Sequence, residues 1–198
     1  INIDEVLSKN KVQIYLNFAA IKHVRSEENI ESIKYMFETN SIKFLPKKIN
    51  NLKKIFSIST DKTVKPSSIL GISKKLMEMN LSRFNQRKIF ISSVRFANVA
   101  FSNGSILKYI VDRLMQKKSF GLPENVKRFF LTHKESSNLC FKSLLARNNR
   151  KIIIPNPIVL KKDFLLSDLA EKIIRKFNYI FKFYKKGKFK NNYKKNYY

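Results

Sequence analysis

The sequence predicts an α+β fold, a mixed sheet with packed helices, extended by a basic helical C-terminus. Three observations carry this. Residues 54–120 run strand, loop, helix, strand, turn, helix. Residues 105–119 hold an unbroken apolar stripe. Apolar residues make up 43% of the 198, enough for a core.

The elements follow in order. Residues 11–21 start β-branched and aromatic and end in Ala19-Ala20-Ile21, so their type stays open. Ser26 before Glu27 and Glu28 has the form of an N-cap with acids in the first turn. Ile30, Ile33, Met36 and Phe37 recur at helical spacing, which predicts a helix over 27–38. Residues 42–45 form a short strand stopped by Pro46, and 54–60 alternate as a strand. A loop with Pro66 follows. Gly71 then opens a helix in which Ile72, Leu76, Met79 and Phe84 share a face. Residues 88–96 read as a strand and 102–104 as a turn. The clearest helix lies over 105–119, where Ile106, Leu107, Ile110, Val111, Leu114 and Met115 line one side. Gly121 and Pro123 stop it. Residues 124–132 and 137–146 are helix candidates, and 150–160 is a basic, β-branched run broken by Pro155 and Pro157. Residues 165–184 place Leu166, Leu169, Ile173, Phe177, Ile180 and Tyr184 in step as a last helix. The chain divides into a near-neutral region (1–40), a central unit (41–120), a divergent mixed region (121–164) and a basic aromatic end (165–198).

Charge dominates the functional reading. Lys and Arg number 41 against 14 acids, a net of +27. Residues 1–40 hold six acids and five bases, whereas 41–198 hold 36 bases and 8 acids. Such an excess repels itself unless a polyanion neutralises it, and nucleic acid is the natural partner. A free-standing metabolic enzyme is not expected from this arithmetic. Lys, Asn, Ile, Phe and Tyr are abundant, which is what A/T-rich coding specifies. An organellar genome is one such source, and part of the lysine count reflects that bias.

Catalytic signatures are missing from the sequence. The one cysteine, Cys140, excludes a disulfide framework and a cysteine-based zinc site within the chain. His23 and His133 have no acid or cysteine at ligand or triad spacing. No P-loop, dinucleotide fingerprint or hydrolase elbow occurs. The expectation is a protein that is not an enzyme, with no cofactor and no metal. Apolar runs fall far short of the ~18–20 residues of a spanning helix, so no membrane partner is expected. The N-terminal stretch does not read as a transit peptide, and a protein made inside an organelle needs none.

The candidate RNA contacts are basic clusters. Lys65, Gly71, Lys74 and Lys75 surround the loop and helix start. Lys127 and Arg128 follow, then Arg147, Arg150 and Lys151. At the C-terminus Lys182, Lys185, Lys186, Lys188 and Lys190 alternate with aromatic rings. Lysine neutralises phosphate and aromatic rings stack on unpaired bases.

Residues 88–120, KIFISSVRFANVAFSNGSILKYIVDRLMQKKSF, resemble the small-subunit ribosomal protein three family over its last KH strand and following helix. Residues 65–74, KPSSILGISK, resemble its Pro-hydrophobic-Gly-x-x-Gly segment: Pro66 and Gly71 match, and Lys74 stands at the second glycine. The resemblance implies a type II KH-like domain whose loop clamps an RNA backbone. It implies a structural constituent of an organellar, mitochondrial small ribosomal subunit. The partners would be ribosomal RNA, neighbouring small-subunit proteins and messenger RNA where it enters, with a separate chain supplying the family's C-terminal half. The alternative is a free organellar RNA-binding factor for splicing or RNA stability.

Overall fold

The computed structural model describes residues 3–22, 29–47, 51–84, 88–123, 125–147, 149–156, 160 and 163–177. Helix α1 (Ile3–Lys9) leads into strand β1 (Ile14–Asn17). Helix α2 (Ile30–Phe37) is capped by Asn29, whose side chain accepts the Ser32 N–H. The expected cap, Ser26, lies outside the described residues. The chain runs on as a π-helical turn, Glu38–Ile42. Strand β2 (Lys54–Thr60) ends in a 3-10 turn, Asp61–Thr63, and Ser68 caps helix α3 (Ile69–Arg83). Next come β3 (Phe90–Phe96), β4 (Asn98–Val99) and helix α4 (Ile106–Met115), capped by Ser105. Strands β5 (Lys127–Arg128) and β6 (Phe130–Leu131) precede helix α5 (His133–Leu145), which Thr132 and Glu135 open with reciprocal capping bonds. Strand β7 (Lys151–Ile153), strand β8 (Phe164–Leu165) and helix α6 (Leu166–Lys176) complete it.

The main sheet has the order β1-β2-β3-β7, and every pairing in it is parallel. This overturns the α+β mixed sheet of a KH-like domain. Residues 54–60 and 88–96 were expected as strands; the strands run over 54–60 and 90–96, but they lie side by side and parallel, joined through α3 as in an α/β unit. Parallel strands are covered on both faces. Accordingly Ile55, Phe56, Ser57, Ile91, Ser92, Ser93 and Val94 are all buried. Both central strands mix apolar residues with serines, and buried hydroxyls are expected to find a hydrogen-bond partner. Ser93 Oγ donates to the Ser57 carbonyl at 2.8 Å; Ser92 Oγ is buried without a partner.

Two faces can be told apart. The front carries Ile55, Ser57 and Ser59, against which α3 sets Met77 and Glu78. The back carries Lys54 and Phe56. There the Lys54 ammonium reaches the Leu144 carbonyl near the end of α5 and lies over the Phe90 ring. The front core joins Phe44, Leu52, Ile55, Met77, Leu81, Ile89 and Ile91. A second core joins α4 to α6 through Leu107, Ile110, Leu114, Ala170 and Ile174.

Other expectations also change. Residues 42–45 are the end of the π-helical turn and its exit, and Phe44 is buried in the front core. Residues 125–132, the described part of the 124–132 helix candidate, are not helical; β5 and β6 lie there. Helix α3 starts two residues ahead of Gly71. The last helix is described to Lys176, and residues 178–198 lie outside the described residues.

Candidate functional site

In an open parallel sheet the loops that leave the strands gather at the carboxyl edge, where ligands sit. Here β1 ends in Asn17, which is buried. Its amide donates to Ser57 Oγ at 3.1 Å, and its oxygen accepts the Ala19 N–H at 3.2 Å, turning the chain off the sheet. Asn40 fixes the next residues. Fully enclosed, it exchanges two bonds with the Ile21 backbone (2.8 and 2.9 Å) and donates to Ser73 Oγ at 3.1 Å. Lys22 follows directly, its ammonium pKa lowered by desolvation and by repulsion from Lys62.

Strand β2 ends in Thr60-Asp61-Lys62-Thr63. Thr60 Oγ1 accepts the Lys62 N–H, and Thr63 Oγ1 donates back to the Thr60 carbonyl at 2.8 Å. Lys62 Nζ lies 3.6 Å from Asp61. Helix α3 presses onto this turn. A Cβ on Gly71 would stand 2.9 Å from the Lys62 carbonyl oxygen, a backbone atom, so the close approach requires glycine. That is the role of Gly71; what it meets is its own chain's loop.

The approach delivers Lys74, only 3% exposed, to the end of β2. Its ammonium donates to the Ile58 carbonyl at 3.0 Å and lies 3.5 Å from Met77 Sδ. Burial, partly offset by the Glu78 charge, pushes its pKa down to about 8. A lysine poised there can give or take a proton near neutral pH. Glu78 itself is locked. Arg95 holds it with two bonds (2.8 and 2.7 Å), and the hydroxyls of Ser59 (2.6 Å) and Thr63 (3.0 Å) donate to it. Burial pushes the Glu78 carboxyl up, but Arg95 and the two hydroxyls outweigh it, and the net direction is down.

The carboxyl edge thus presents Lys22, Asp61, Lys62 and Lys74: cations for an anionic ligand and one buried amine for proton transfer. Of the sequence's candidates only Lys74 and Gly71 join this group. Lys65 is exposed on the loop between the 3-10 turn and α3. Lys75 is half-exposed on α3, 4.0 Å from Glu78 Oε2. Lys127 pairs with Asp163 at 3.8 Å and Arg128 is exposed on β5, both on the small antiparallel pair with β8. Arg147 and Lys151 are exposed, and Arg150 donates to the Phe84 carbonyl at the amino edge of β3. Lys182, Lys185, Lys186, Lys188 and Lys190 lie outside the described residues. Sequence reasoning missed Lys22, Asp61, Lys62, Glu78 and Arg95. The signal available was Thr60-Asp61-Lys62-Thr63 between a strand and a capped helix start.

A parallel α/β sheet with ionisable groups at its carboxyl edge defines a Rossmann-like protein. The chain belongs to the polysaccharide biosynthesis protein family, whose model matches residues 2–193. It is 29% identical over 185 residues to the capsular polysaccharide biosynthesis protein CapD of Staphylococcus aureus, covering 86% of this chain and 29% of that protein. It is 33% identical over 96 residues to the UDP-glucose 4-epimerase of Rickettsia bellii, covering 46% of this chain and 28% of that enzyme. A 32% identical stretch of 134 residues matches the uncharacterized membrane protein MJ1061 of Methanocaldococcus jannaschii, covering 65% and 40%. Among solved structures, the dTDP-glucose 4,6-dehydratase DesIV of Streptomyces venezuelae with NAD and DAU bound superposes with a TM-score of 0.76. It is 12% identical, covering 90% of this chain and 62% of that one. The Bordetella bronchiseptica enzyme WbmG with NAD and UDP gives 0.70 at 14% identity, covering 89% and 60%. The chain therefore spans between about a quarter and two-fifths of the curated relatives it matches.

These findings overturn the resemblance to ribosomal protein three. With it fall the ribosomal RNA, messenger RNA and small-subunit partners, the separate chain for a C-terminal half, the mitochondrial ribosome and the free RNA-binding alternative. The expectation of a non-enzyme falls too, since the relatives and neighbours include an epimerase and a dehydratase. The physical reason is local. A strand, a turn and an amphipathic helix at 88–120 serve a parallel α/β unit as well as a KH domain, and charge does not separate the two.

The dinucleotide named with the solved neighbours needs a glycine-rich turn at its pyrophosphate in this fold. The four glycines of the sequence, 71, 104, 121 and 187, are spaced too widely along the chain to form one. Lys22, Lys62 and Lys74 suit an anionic nucleotide, but these 198 residues do not by themselves fit the pyrophosphate.

Proposed function

We propose that this chain contributes to the substrate site of an epimerase or dehydratase that acts on a nucleotide sugar in polysaccharide synthesis. The observation that carries the reading is Lys74, buried at the carboxyl end of β2 with its pKa brought down to about 8. Family membership and the UDP-glucose and dTDP-glucose relatives supply the substrate class. A nicotinamide dinucleotide in such enzymes supplies hydride exchange. This chain's residues do other work. Lys22 and Lys62 attract the diphosphate, and Lys74 holds or releases a proton beside a sugar hydroxyl. The Glu78–Arg95 lock keeps α3, and hence Lys74, in register with β2.

Saturation-transfer NMR on the 198-residue chain with UDP-glucose and dTDP-glucose tests this. Transfer to the sugar protons is expected, falling about ten-fold in affinity for Lys62→Glu. Absence of transfer to both nucleotide sugars would overturn the reading.

A further inference from the structure

Parallel pairing puts the starts of all four main strands on one edge, the amino edge, opposite the candidate site. Each strand is led in by an exposed base. Lys11 stands three residues ahead of β1, Lys53 one ahead of β2, Lys88 two ahead of β3 and Arg150 one ahead of β7. Backbone bonds hold these entries side by side. The Lys53 N–H donates to the Gln13 carbonyl, the Phe90 N–H to the Lys53 carbonyl and the Arg150 N–H to the Ile91 carbonyl, each at 2.8 Å. Neighbouring strands lie about 4.8 Å apart, so the four bases cross roughly 14 Å. Two helices that return to this edge bring exposed bases as well: α3 ends in Arg83, and Arg147 follows the end of α5.

Ordinary structural causes account for only part of this row. Cations suit helix C-termini, which covers Lys11, Arg83 and Arg147. Arg150 donates to the Phe84 carbonyl at 2.9 Å. Lys53 and Lys88 answer no helix end. Seven ion pairs form among the described residues, and none includes any of these six bases. The carboxylates nearest to Lys11 in sequence, Asp4 and Glu5, lie in the first turn of α1, where Asp4 accepts the Lys47 N–H. The carboxyl edge differs, since there Asp61 faces Lys62 and Glu78 holds Arg95. Apolar side chains accompany the bases. Leu145, the last residue of α5, is 80% exposed, and Phe141, one turn earlier on the same face, is 64% exposed. The Lys54 ammonium on the Leu144 carbonyl ties that helix end to the start of β2.

We propose that the amino edge of the main sheet docks on an anionic lipid bilayer, its six bases on the headgroups and Leu145 and Phe141 in the apolar boundary beneath them. The pairing of charge with an exposed leucine selects this partner. A bilayer takes up both, since binding at its surface grows with buried apolar area and with attraction to anionic lipid. A nucleic acid meets the charge and leaves Leu145 in water. No helix of the described residues is long and apolar enough to cross a membrane, and the proposed contact is with the surface alone. Strand β2 is seven residues long, which sets the carboxyl edge about 23 Å farther out. Lys22, Lys62 and Lys74 then face the aqueous side. The docking edge does not depend on the nucleotide-sugar reading.

Sucrose-loaded vesicles of phosphatidylcholine, with and without phosphatidylglycerol, are sedimented with the 198-residue chain at physiological salt. The chain is expected to sediment with the anionic vesicles and not with the neutral ones. Each base near an anionic surface is worth about five-fold in partition, so Lys53→Glu with Lys88→Glu should weaken binding at least about twenty-five-fold. Lys172→Glu with Lys176→Glu, at exposed positions of α6, changes the net charge equally and should weaken it less than about five-fold. The sequence holds no tryptophan, so Leu145→Trp supplies a single reporter whose emission should shift to the blue on anionic vesicles. Any of four results would overturn the proposal: no binding to anionic vesicles, equal binding to neutral ones, an α6 pair that loses as much as the edge pair, or an unshifted tryptophan. So would a single-stranded RNA oligonucleotide that binds more tightly than the vesicles and loses affinity with the same edge pair.

Discussion

Lys74 shows what a single buried charge does to this protein. Its pKa of about 8 in the folded chain lies below the ~10.4 of a free lysine. Between those values the unfolded chain binds more protons, so the unfolding free energy rises with pH across that window. Below about pH 8 the buried ammonium costs its full amount, roughly 3 kcal/mol for a shift of this size. Lys74→Met removes that cost and also the bond to Ile58, worth about 1 kcal/mol. The variant should therefore be more stable than the original by roughly 2 kcal/mol at pH 7, with the gain gone near pH 10. Urea denaturation at the two pH values reads this, and an equal difference at both would refute it. Nothing in the sequence marked Lys74 as enclosed. A charge count treats every lysine alike, and the residue that buries this one, Gly71, acts through a backbone contact with Lys62 that no periodicity shows.

At the level of elements, α3 is joined to two strands by one carboxylate. Glu78 accepts from Ser59 and Thr63 at the end of β2 and from Arg95 on β3, so a single side chain sets the helix over the sheet. Removing Arg95 takes the two short bonds from the buried Glu78 charge and leaves it only the looser Lys75 ammonium at 4.0 Å, which costs about 3 kcal/mol. The folded-state pKa of Glu78 is depressed, so its contribution is present above the unfolded value near ~4.3 and is lost as pH falls through the folded one. Arg95→Ala should then be strongly destabilised at pH 7, with the gap to the original narrowing below about pH 4. Thermal melts at both pH values check it. Arg95→Lys should recover little, because it cannot make the paired bonds. The strands at 54–60 and 90–96 were legible because β-branched and aromatic residues fill them. Their parallel pairing was not. Serines at 57 and 59 give the alternation of a half-solvated strand, yet both are buried, as are Ser92 and Ser93. Strand β1 is only four residues long, and the type of residues 11–21 stayed open in the sequence.

For the whole molecule, the net charge of +27 proved a poor guide. Net charge bears on solubility and non-specific partners, not on fold. Seven of the lysines fall in residues 178–198. What organises the described chain is its two cores, which share no buried residue. One is the sheet with α3, built on Ile55, Met77 and Ile91. The other is α4 against α6, built on Ile110 and Ala170, which are wholly enclosed. Helix α4 was readable because its apolar stripe is continuous, and α6 because Leu166, Leu169 and Ile173 keep the same step. Their meeting was not, since about fifty residues separate them. Cores that share no side chain can open separately. Truncating a fully buried isoleucine costs about 2–5 kcal/mol. Ile110→Ala should therefore raise hydrogen exchange in α4 and α6 together, while the amides of β2 and β3 keep their protection. Equal acceleration in all four elements would show instead that sheet and helix pair unfold as one unit.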